Sequence, residues 1–345
     1  MMGCSSQLRL SPRPAPVLWY SSYSYSLPSA AIPPSASYGA AASAHRKRKI
    51  RTCIKHVKAA LQSAAAQKPE GNEEEEEFKV LTAIQSLYNH IVILDTPKSR
   101  LLLLDSTHNV HSMLNKGSSK WTGSYWDEFA ALPPVVPEGP IAIFGLGGGT
   151  AAHLMLDLWP SLQLEGWEID EILIHISRDY LGLSDLEKQT MDGGVLNIYI
   201  GDVFSPDAAI SGGYAGIIVD LFADGKVLPQ LEQATTWLEL YDKLMPNGRF
   251  MVNCGAGQDR LPARDAVHEH DGSSMDDAWK LNATITALCE AFPGQVNWKK
   301  MPQSAGENYL ALTGSLPDLT TWSAALPNEL NSSVNQWQTC NIHDS

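Results

Sequence analysis

The sequence predicts an α/β fold in which a doubly wound, mainly parallel sheet follows a small antiparallel β subdomain. Two patterns support this prediction. Beyond Gly139, apolar runs of strand length alternate with segments of helix length, and strands joined by helices form parallel sheets covered on both faces. Between residues 78 and 115 the apolar runs are shorter and are separated only by turn-forming residues, as in antiparallel hairpins.

The first 69 residues have the composition of a targeting segment. They contain ten Lys or Arg, no Asp or Glu, and many Ser, Ala and Pro, which predicts a transit peptide and a mature protein in the chloroplast stroma. The basic run from His45 to Arg51 could instead bind nucleic acid, but beside a Ser/Ala tract such a run is typical of a solvated targeting segment. Five consecutive glutamates then mark residues 70–77 as an acidic linker.

The rest of the chain is strongly acidic. It holds all 38 Asp and Glu but only 15 of the 25 Lys and Arg, a formal charge of about −23, which repels the phosphate backbone of nucleic acids. Its most apolar window, from Ile141 to Leu156, is shorter than the roughly 18 residues that a membrane helix needs. We therefore expect neither a nucleic-acid partner nor a membrane span.

Cysteine and histidine give no clear metal-site pattern. Cys254, Cys289 and Cys340 are an odd number without paired spacing, which indicates reduced thiols. The run from His268 to Asp271 resembles a ligand cluster but has no second ligand group at helical spacing. No metal is predicted.

Three apolar runs define the small subdomain, residues 78–120. They extend from Phe78 to Ile84, from Ile91 to Leu94 and from Leu101 to Leu104. A short helix is predicted from Ser124 to Leu132, because a serine cap precedes apolar residues at helical spacing and two prolines follow.

The main domain is predicted over residues 121–316, and residues 317–345 form a tail without identifiable chemistry. Its strands are expected at residues 141–144, 164–169, 196–200, 215–221 and 249–253, with a final pair at 296–299 and 309–313 that forms an antiparallel edge. Helices are expected at residues 150–158, 171–180, 231–244 and 275–292.

The first two strand ends carry candidate ligand-binding residues, because a ligand of an open parallel sheet lies beyond the carboxyl ends of the strands. The loop after the first strand contains Gly145, Gly147, Gly148 and Gly149, whose backbone amides can approach a ligand closely, although close packing of helix on sheet gives the same pattern. Glu168 ends the second strand 21 residues after Gly147. At this distance an acid accepts hydrogen bonds from ribose hydroxyls.

The next two strand ends also carry acids. Asp202 and Val203 follow the third strand, where a carboxylate can accept from an adenine amino group and an apolar side chain can hold the ring. Asp220 follows a buried β-branched run and faces the reacting end of the ligand, as a general base or a partner for an amine. Helix capping is the alternative role for both aspartates.

A glycine loop, Glu168, Asp202 and Asp220 follow successive strands in an order similar to that of class I S-adenosylmethionine-binding folds. Residues 80–313 resemble the spermidine synthase family. The resemblance rests on the small sheet and on the motifs Ser124-Tyr125, Leu132-Pro133, Glu168-Ile169-Asp170, Gly201-Asp202 and Asp220.

The resemblance implies a fold, an activity and roles for residues. In that family a Rossmann-like domain follows an antiparallel sheet, and decarboxylated S-adenosylmethionine donates an aminopropyl group to a diamine. Glu168 would hold the ribose, Asp202 the adenine and Tyr125 the amine acceptor, and Asp220 would take the proton of the amine. The family also implies a homodimer paired through the small subdomain.

Three departures from the family fall where aminopropyl transfer takes place. Gly148 stands where the family has an aspartate, and Trp126 replaces a glutamine. The family's Asp-Ser-Ser-Asp becomes the longer segment from Asp220 to Asp224, without the hydroxyls. Each lost charge-assisted hydrogen bond is worth roughly 1.5 to 3 kcal/mol, and Asp224 is the candidate replacement for a lost acid.

Several functions therefore stay open. An aminopropyltransferase would use decarboxylated S-adenosylmethionine and an amine acceptor. A methyltransferase would use intact S-adenosylmethionine and another small-molecule acceptor, since methyl transfer needs mainly alignment. A third alternative is a nucleoside-binding protein that has lost catalysis. A nicotinamide dehydrogenase would leave Asp202 unexplained.

Overall fold

The computed structural model describes residues 78–107, 109–256, 279–305 and 307–340. The predicted transit peptide, the acidic linker, the run from His268 to Asp271 and the first residues of the helix predicted at 275–292 lie outside these described residues. None of the helices in the described ranges is both long and apolar enough to cross a membrane.

The small subdomain is a four-stranded antiparallel sheet in the order β1-β2-β3-β4. Its strands are β1 (Lys79–Gln85), β2 (His90–Asp95), β3 (Ser99–Leu103) and β4 (Ser112–Asn115). Side chains of β2 and β3 pack against Leu173 and Ile176, which lie on the helix Glu171–Tyr180 of the main domain. The sheet is therefore attached to the main domain by apolar packing.

The main sheet has eight strands in the order β14-β12-β13-β11-β8-β5-β6-β7. These strands are β5 (Ile141–Phe144), β6 (Gln163–Glu168), β7 (Val195–Ile200), β8 (Tyr214–Val219), β11 (Leu244–Asn253), β12 (Val296–Lys300), β13 (Tyr309–Thr313) and β14 (Gln338–Thr339). The five adjacent strands β11, β8, β5, β6 and β7 are parallel to one another. Strand β13 runs antiparallel to its neighbours β11 and β12. The predicted α/β class with a mainly parallel sheet is confirmed.

The seven α-helices in the described residues are α1 (Thr150–Leu158), α2 (Glu171–Tyr180), α3 (Leu183–Leu186), α4 (Ala234–Tyr241), α5 (Ala283–Ala291), α6 (Leu319–Ala324) and α7 (Asn328–Asn331). The helix predicted after Ser124 is a 3₁₀ helix, Tyr125–Ala131, which we call the tyrosine turn. The helix predicted at 231–244 is shorter, because Pro229 begins a separate 3₁₀ turn and β11 already begins at Leu244.

Both faces of the main sheet are buried. Ile141, Ile143 and Ile218 pack in the same cluster as α1, whereas Ala142 and Ile217 pack in the cluster that contains α4 and α5. Successive residues of a strand point to opposite faces, so continuous apolar strands supply both cores.

Two smaller features lie next to the sheet. A hairpin of β9 (Phe222–Ala223) and β10 (Lys226–Val227) follows β8. The C-terminal segment, residues 317–340, packs on the domain: Trp322 and Trp337 are buried in the core cluster of α1, and β14 pairs with β12.

Asp170 joins the small subdomain to the main domain. It is 1% exposed, and its Oδ1 accepts from the backbone amides of Ile172 and Leu173 at the start of α2, at 3.1 and 3.3 Å. Its Oδ2 accepts from Ser86 Oγ at 2.5 Å and from Asn89 Nδ2 at 2.8 Å. One carboxylate therefore caps a helix and fixes the β1–β2 turn.

Asp170→Ala should lower the free energy of unfolding by about 2–4 kcal/mol, because a helix cap and two buried side-chain bonds to a charge are lost together. Urea unfolding followed by circular dichroism measures the loss. Asp185→Ala is the control, since Asp185 bonds only the exposed Lys188 in an ion pair of 2.7 Å and should change stability by less than about 1 kcal/mol. Equal losses in the two variants would contradict the linking role.

Candidate active site

Asp220 lies directly after β8, at the carboxyl edge of the sheet beside the point where the strand order reverses. Its Oδ1 accepts from Asn253 Nδ2 at 2.9 Å, and the Tyr125 hydroxyl lies 3.2 Å from Oδ2. The indole of Trp126 is close enough to lower the pKa of this carboxyl. Side chains from two separate parts of the chain therefore surround one carboxylate.

The surroundings of Asp220 change its acidity. The residue is half-buried, but its carboxyl is enclosed by protein groups, and desolvation raises its pKa to about 6 while the bonds from Asn253, Tyr125 and Trp126 oppose the rise. Desolvation, reinforced by the nearby Asp220, holds the pKa of Tyr125 well above its usual value. At neutral pH Asp220 is thus an ionised acceptor and Tyr125 a protonated donor.

The glycine loop, from Gly145 to Gly149, begins with a residue that packs tightly against the backbone of Asp220. Gly145 has φ +85°, and a Cβ there would lie 2.3 Å from the backbone oxygen of Asp220, so only glycine fits. The amide of Gly147 donates to Glu168 Oε2 at 3.0 Å. Gly149, at φ +80°, precedes α1, and a Cβ would lie 2.3 Å from Leu183 Cδ2.

Gly148 is enclosed on its side-chain position. Its amide donates to Ser112 Oγ at 2.8 Å, and a Cβ would lie 2.5 Å from Leu181 Cδ1 and 2.7 Å from Ser112 Cβ. Both neighbours are buried. The position where the family resemblance implies an aspartate therefore has no room for a side chain.

Glu168 ends β6, is 9% exposed and is bonded mainly to backbone. Oε1 accepts from the amides of Ile169 and Asp170 at 3.0 and 3.1 Å, and Oε2 accepts from Gly147. Burial raises its pKa, and these backbone bonds oppose the rise. Because a carboxylate has about four acceptor positions, Oε2 retains one for a ligand.

Asp202 lies on the same edge but is exposed. Its Oδ1 accepts from the amide of Phe204 at 2.9 Å, which caps a local turn, and the amide of Gly201 donates to the backbone oxygen of Glu168 at 2.9 Å. The following Val203 is buried. Asp202 thus follows β7, the strand that pairs with the Glu168 strand β6.

Asp224 is positioned by the turn of the β9–β10 hairpin. It is exposed and has φ +50°, followed by Gly225 at φ +71°, as in the two-residue turns that favour Asp-Gly. The structure gives Asp224 a local conformational role in this hairpin turn, four residues after Asp220 in the chain.

Two residues of the site were missed by sequence reasoning. Asn253 is 1% exposed, and its Oδ1 accepts from the amide of Gly255 and from Asn308 Nδ2, at 3.0 and 2.9 Å. Ser112 comes from β4 of the small sheet and reaches the glycine loop. Asn253 ends a predicted strand, so the rule that selected the other strand ends could have found it; no local signal marks Ser112.

The strand ends meet at one edge, since β7, β6, β5 and β8 are successive neighbours. Glu168, Gly145 and Asp220 are joined through the loop contacts described above. No group of three or more His, Cys, Asp or Glu in the described ranges is arranged to hold a metal ion. The arrangement offers acceptors for hydroxyl and amine groups, with one carboxyl able to exchange a proton near neutral pH.

The chain has a recognisable relative in sequence. It is 23% identical over 225 residues to a probable polyamine aminopropyl transferase of Bifidobacterium longum, a match that covers 65% of this chain and 47% of the relative. The chain therefore spans about half the length of that protein. No protein-family model matches it.

Solved structures of spermidine synthases share its fold. One, in complex with the transition state analogue AdoDATO, is 14% identical with a TM-score of 0.51, over 79% of this chain and 99% of that chain. A probable spermidine synthase from Corynebacterium glutamicum is 16% identical with a TM-score of 0.51, over 76% and 90%. The predicted resemblance is confirmed for the fold.

Gly148→Ala should lower the free energy of unfolding by about 1–3 kcal/mol, because the added methyl overlaps Ser112 and Leu181. Chemical unfolding measures this effect. Gly117→Ala is the matched control, since nothing lies within 4 Å of a Cβ at Gly117, and it should change stability by less than about 0.5 kcal/mol. A Gly148 variant as stable as the control would mean that the position can hold a side chain.

Proposed function

We propose that this chain, spermidine synthase-like in fold and similar in sequence to a polyamine aminopropyltransferase, transfers an aminopropyl group from an S-adenosyl nucleoside to a polyamine-type amine. The single observation that carries the proposal is the Asp220 carboxylate, with a pKa of about 6 and the hydroxyl of Tyr125 beside it.

Asp220 would act as the general base. Ionised above about pH 6, it can take a proton from the ammonium of the acceptor, and the freed nitrogen lone pair then attacks the carbon bonded to the sulfonium sulfur of the donor. The new carbon–nitrogen bond forms as the carbon–sulfur bond breaks, and its electron pair stays on sulfur. Tyr125 and Asn253 keep the carboxyl in position throughout.

The residues at the edge fit a nucleoside. Glu168 Oε2 retains an acceptor position for a ribose hydroxyl. The neighbouring residue Ile169 is 41% exposed and provides apolar surface. The amides of Gly147 and Gly148 are already bonded to Glu168 and Ser112, so these two amides are not free to cradle a phosphate, which argues against a dinucleotide. The donor, when bound, supplies an electrophilic carbon on a positively charged sulfur.

Net charge supports a cationic acceptor. The chain carries a formal charge of −13, and a negative field raises the local concentration of polyamines and their rate of encounter.

Methyl transfer is the second candidate, and the packing around Gly148 favours it. The resemblance implies that a carboxylate at this position meets the cationic amine of the decarboxylated donor, and here Leu181 and Ser112 occupy that space. A donor that keeps its carboxylate would not need an acid there. Asp220 would then deprotonate a different nucleophile.

The pH profile of turnover should follow Asp220. With the wild-type protein, kcat/KM should be level above about pH 6 and fall tenfold per pH unit below it, because only the ionised carboxyl accepts the proton. Asp220→Asn should lower kcat by about 10² to 10⁴-fold and remove this acid limb. Asp224→Asn keeps the hairpin turn and should leave the midpoint of the profile unchanged. A wild-type profile that is flat from pH 5 to 8 would contradict the role of Asp220.

Nucleoside binding should depend on Glu168. Calorimetric titration of the protein with S-adenosylmethionine, its decarboxylated form and NAD should give binding of one S-adenosyl donor, and Glu168→Ala should weaken it at least about tenfold through loss of a charge-assisted bond. Glu171→Ala, whose side chain is 72% exposed, is the matched control and should bind as the wild type does.

The donor preference separates the two candidates. Tighter binding of the decarboxylated donor, with amine-dependent release of methylthioadenosine, supports aminopropyl transfer. Binding of the carboxylated donor alone supports methyl transfer, and binding that survives Glu168→Ala would overturn the assignment of the pocket.

A further inference from the structure

We infer that the C-terminal segment is a working part of the acceptor side of the site. Its Ser333, together with Lys299 of β12, binds Glu128 and thereby holds the tyrosine turn. This turn presents Tyr125 and Trp126 to Asp220. This inference rests on the proposed function for its catalytic meaning. The three side chains are positioning residues, since none of them contacts Asp220.

The three side chains form one buried network. Lys299, on β12, is 1% exposed, and its Nζ lies 2.5 Å from Glu128 Oε2 and 2.5 Å from Ser333 Oγ. The Ser333 hydroxyl also donates to Glu128 Oε1. Both carboxylate oxygens of Glu128 are therefore bonded to groups outside its own turn.

The same segment makes further contacts with the turn and its partners. Trp322 Nε1 donates to the backbone oxygen of Ala131, the last residue of the tyrosine turn, at 2.7 Å. The ring of Trp337 lies 5.3 Å from Lys299 Nζ, a cation–π contact. The turn is thus held at its centre by Glu128 and at its end by Ala131.

The start of the tyrosine turn is tied to the preceding loop by Asp127, whose carboxylate accepts from Thr122 and Gly123, and the contacts of Glu128 and Ala131 hold the turn from other parts of the chain. Ser124 makes no side-chain hydrogen bond to it. In a 3₁₀ helix with 3.0 residues per turn, residues three apart lie one above the other, so Tyr125 and Glu128 share a side of the turn. A shift of Glu128 along this axis would move the Tyr125 hydroxyl away from Asp220.

A buried ion pair costs free energy, because both charged groups lose their contact with water. Burial lowers the pKa of Lys299, and the carboxylate of Glu128 opposes that effect. Apolar residues of similar volume often replace a buried pair without loss of stability. What the pair adds over apolar packing is a fixed direction, because charged hydrogen bonds hold the turn in one register.

The double variant Glu128→Gln/Lys299→Met tests the inference without leaving an unpaired buried charge. It should bind the nucleoside within about twofold of the wild type and raise the KM for the amine about tenfold or more, with a smaller change in kcat. Since the bonds from Tyr125 and Trp126 lower the pKa of Asp220, their displacement should move the acid limb of the pH profile upward. Tyr125 is the titratable side chain that contacts this carboxyl; Asn253 and Trp126 are neutral.

Two single variants complete the experiment. Ser333→Ala should raise the amine KM about threefold or more, and Ser333→Thr, which restores the hydroxyl, should recover most of the loss. Asp318→Ala is the control: it removes the cap of α6 in the same segment, a bond of 2.8 Å to the amide of Thr321, without touching the turn, and should leave the amine KM unchanged.

The outcomes separate the inference from the proposed function. Carbon-13 NMR titration of the Asp220 carboxyl needs no substrate, and the double variant should raise its pKa. An unchanged pKa in a folded double variant, or equal losses of nucleoside and amine binding, would overturn the positioning role. A wild-type protein that binds no S-adenosyl nucleoside would instead defeat the proposed function, and the NMR titration would still decide whether the network positions the turn.

Discussion

The carboxyl of Asp220 depends on donors that reach it from distant parts of the chain. Tyr125 and Trp126 come from the turn ahead of the main sheet, and Asn253 comes from the end of β11. Burial raises the pKa of a carboxyl, and hydrogen-bond donors that stabilise its ionised form lower the pKa again. The turn, β8 and β11 must therefore keep one fixed arrangement, and the close packing of Gly145 on the backbone of Asp220 includes β5 in it.

The two halves of the edge are supported by segments outside the parallel sheet. At the Glu168 end, the carboxylate of Asp170 accepts from Ser86 and Asn89 of the small antiparallel sheet, and its backbone amide donates to Glu168 Oε1. At the Asp220 end, Lys299 connects the antiparallel edge of the main sheet to Glu128 of the tyrosine turn. Both links are buried carboxylates with several donors, which are strong and directional compared with apolar packing.

The sequence predicted the strand ends well because parallel strands place their carboxyl ends on one edge, whatever the loops do. Glu168 and Asp220 were expected at this edge for this reason, and the structure places both there. The sequence could not predict the bond of Ser112 to the glycine loop or the contact of Lys299 with Glu128, because these pairs are 36 and 171 residues apart and polar side chains in strands or turns carry no signal of their distant partners. The crowding around Gly148 likewise depends on packing that only the fold reveals.

A crystal structure of the protein with methylthioadenosine tests most directly the claim that one nucleoside connects the acids of this edge. The arrangement described here predicts a ribose hydroxyl on Glu168 Oε2, the adenine beside Asp202, and the thioether sulfur facing Asp220 and Tyr125. A nucleoside bound elsewhere, or one that contacts Glu168 while its sulfur points away from Asp220, would contradict the claim.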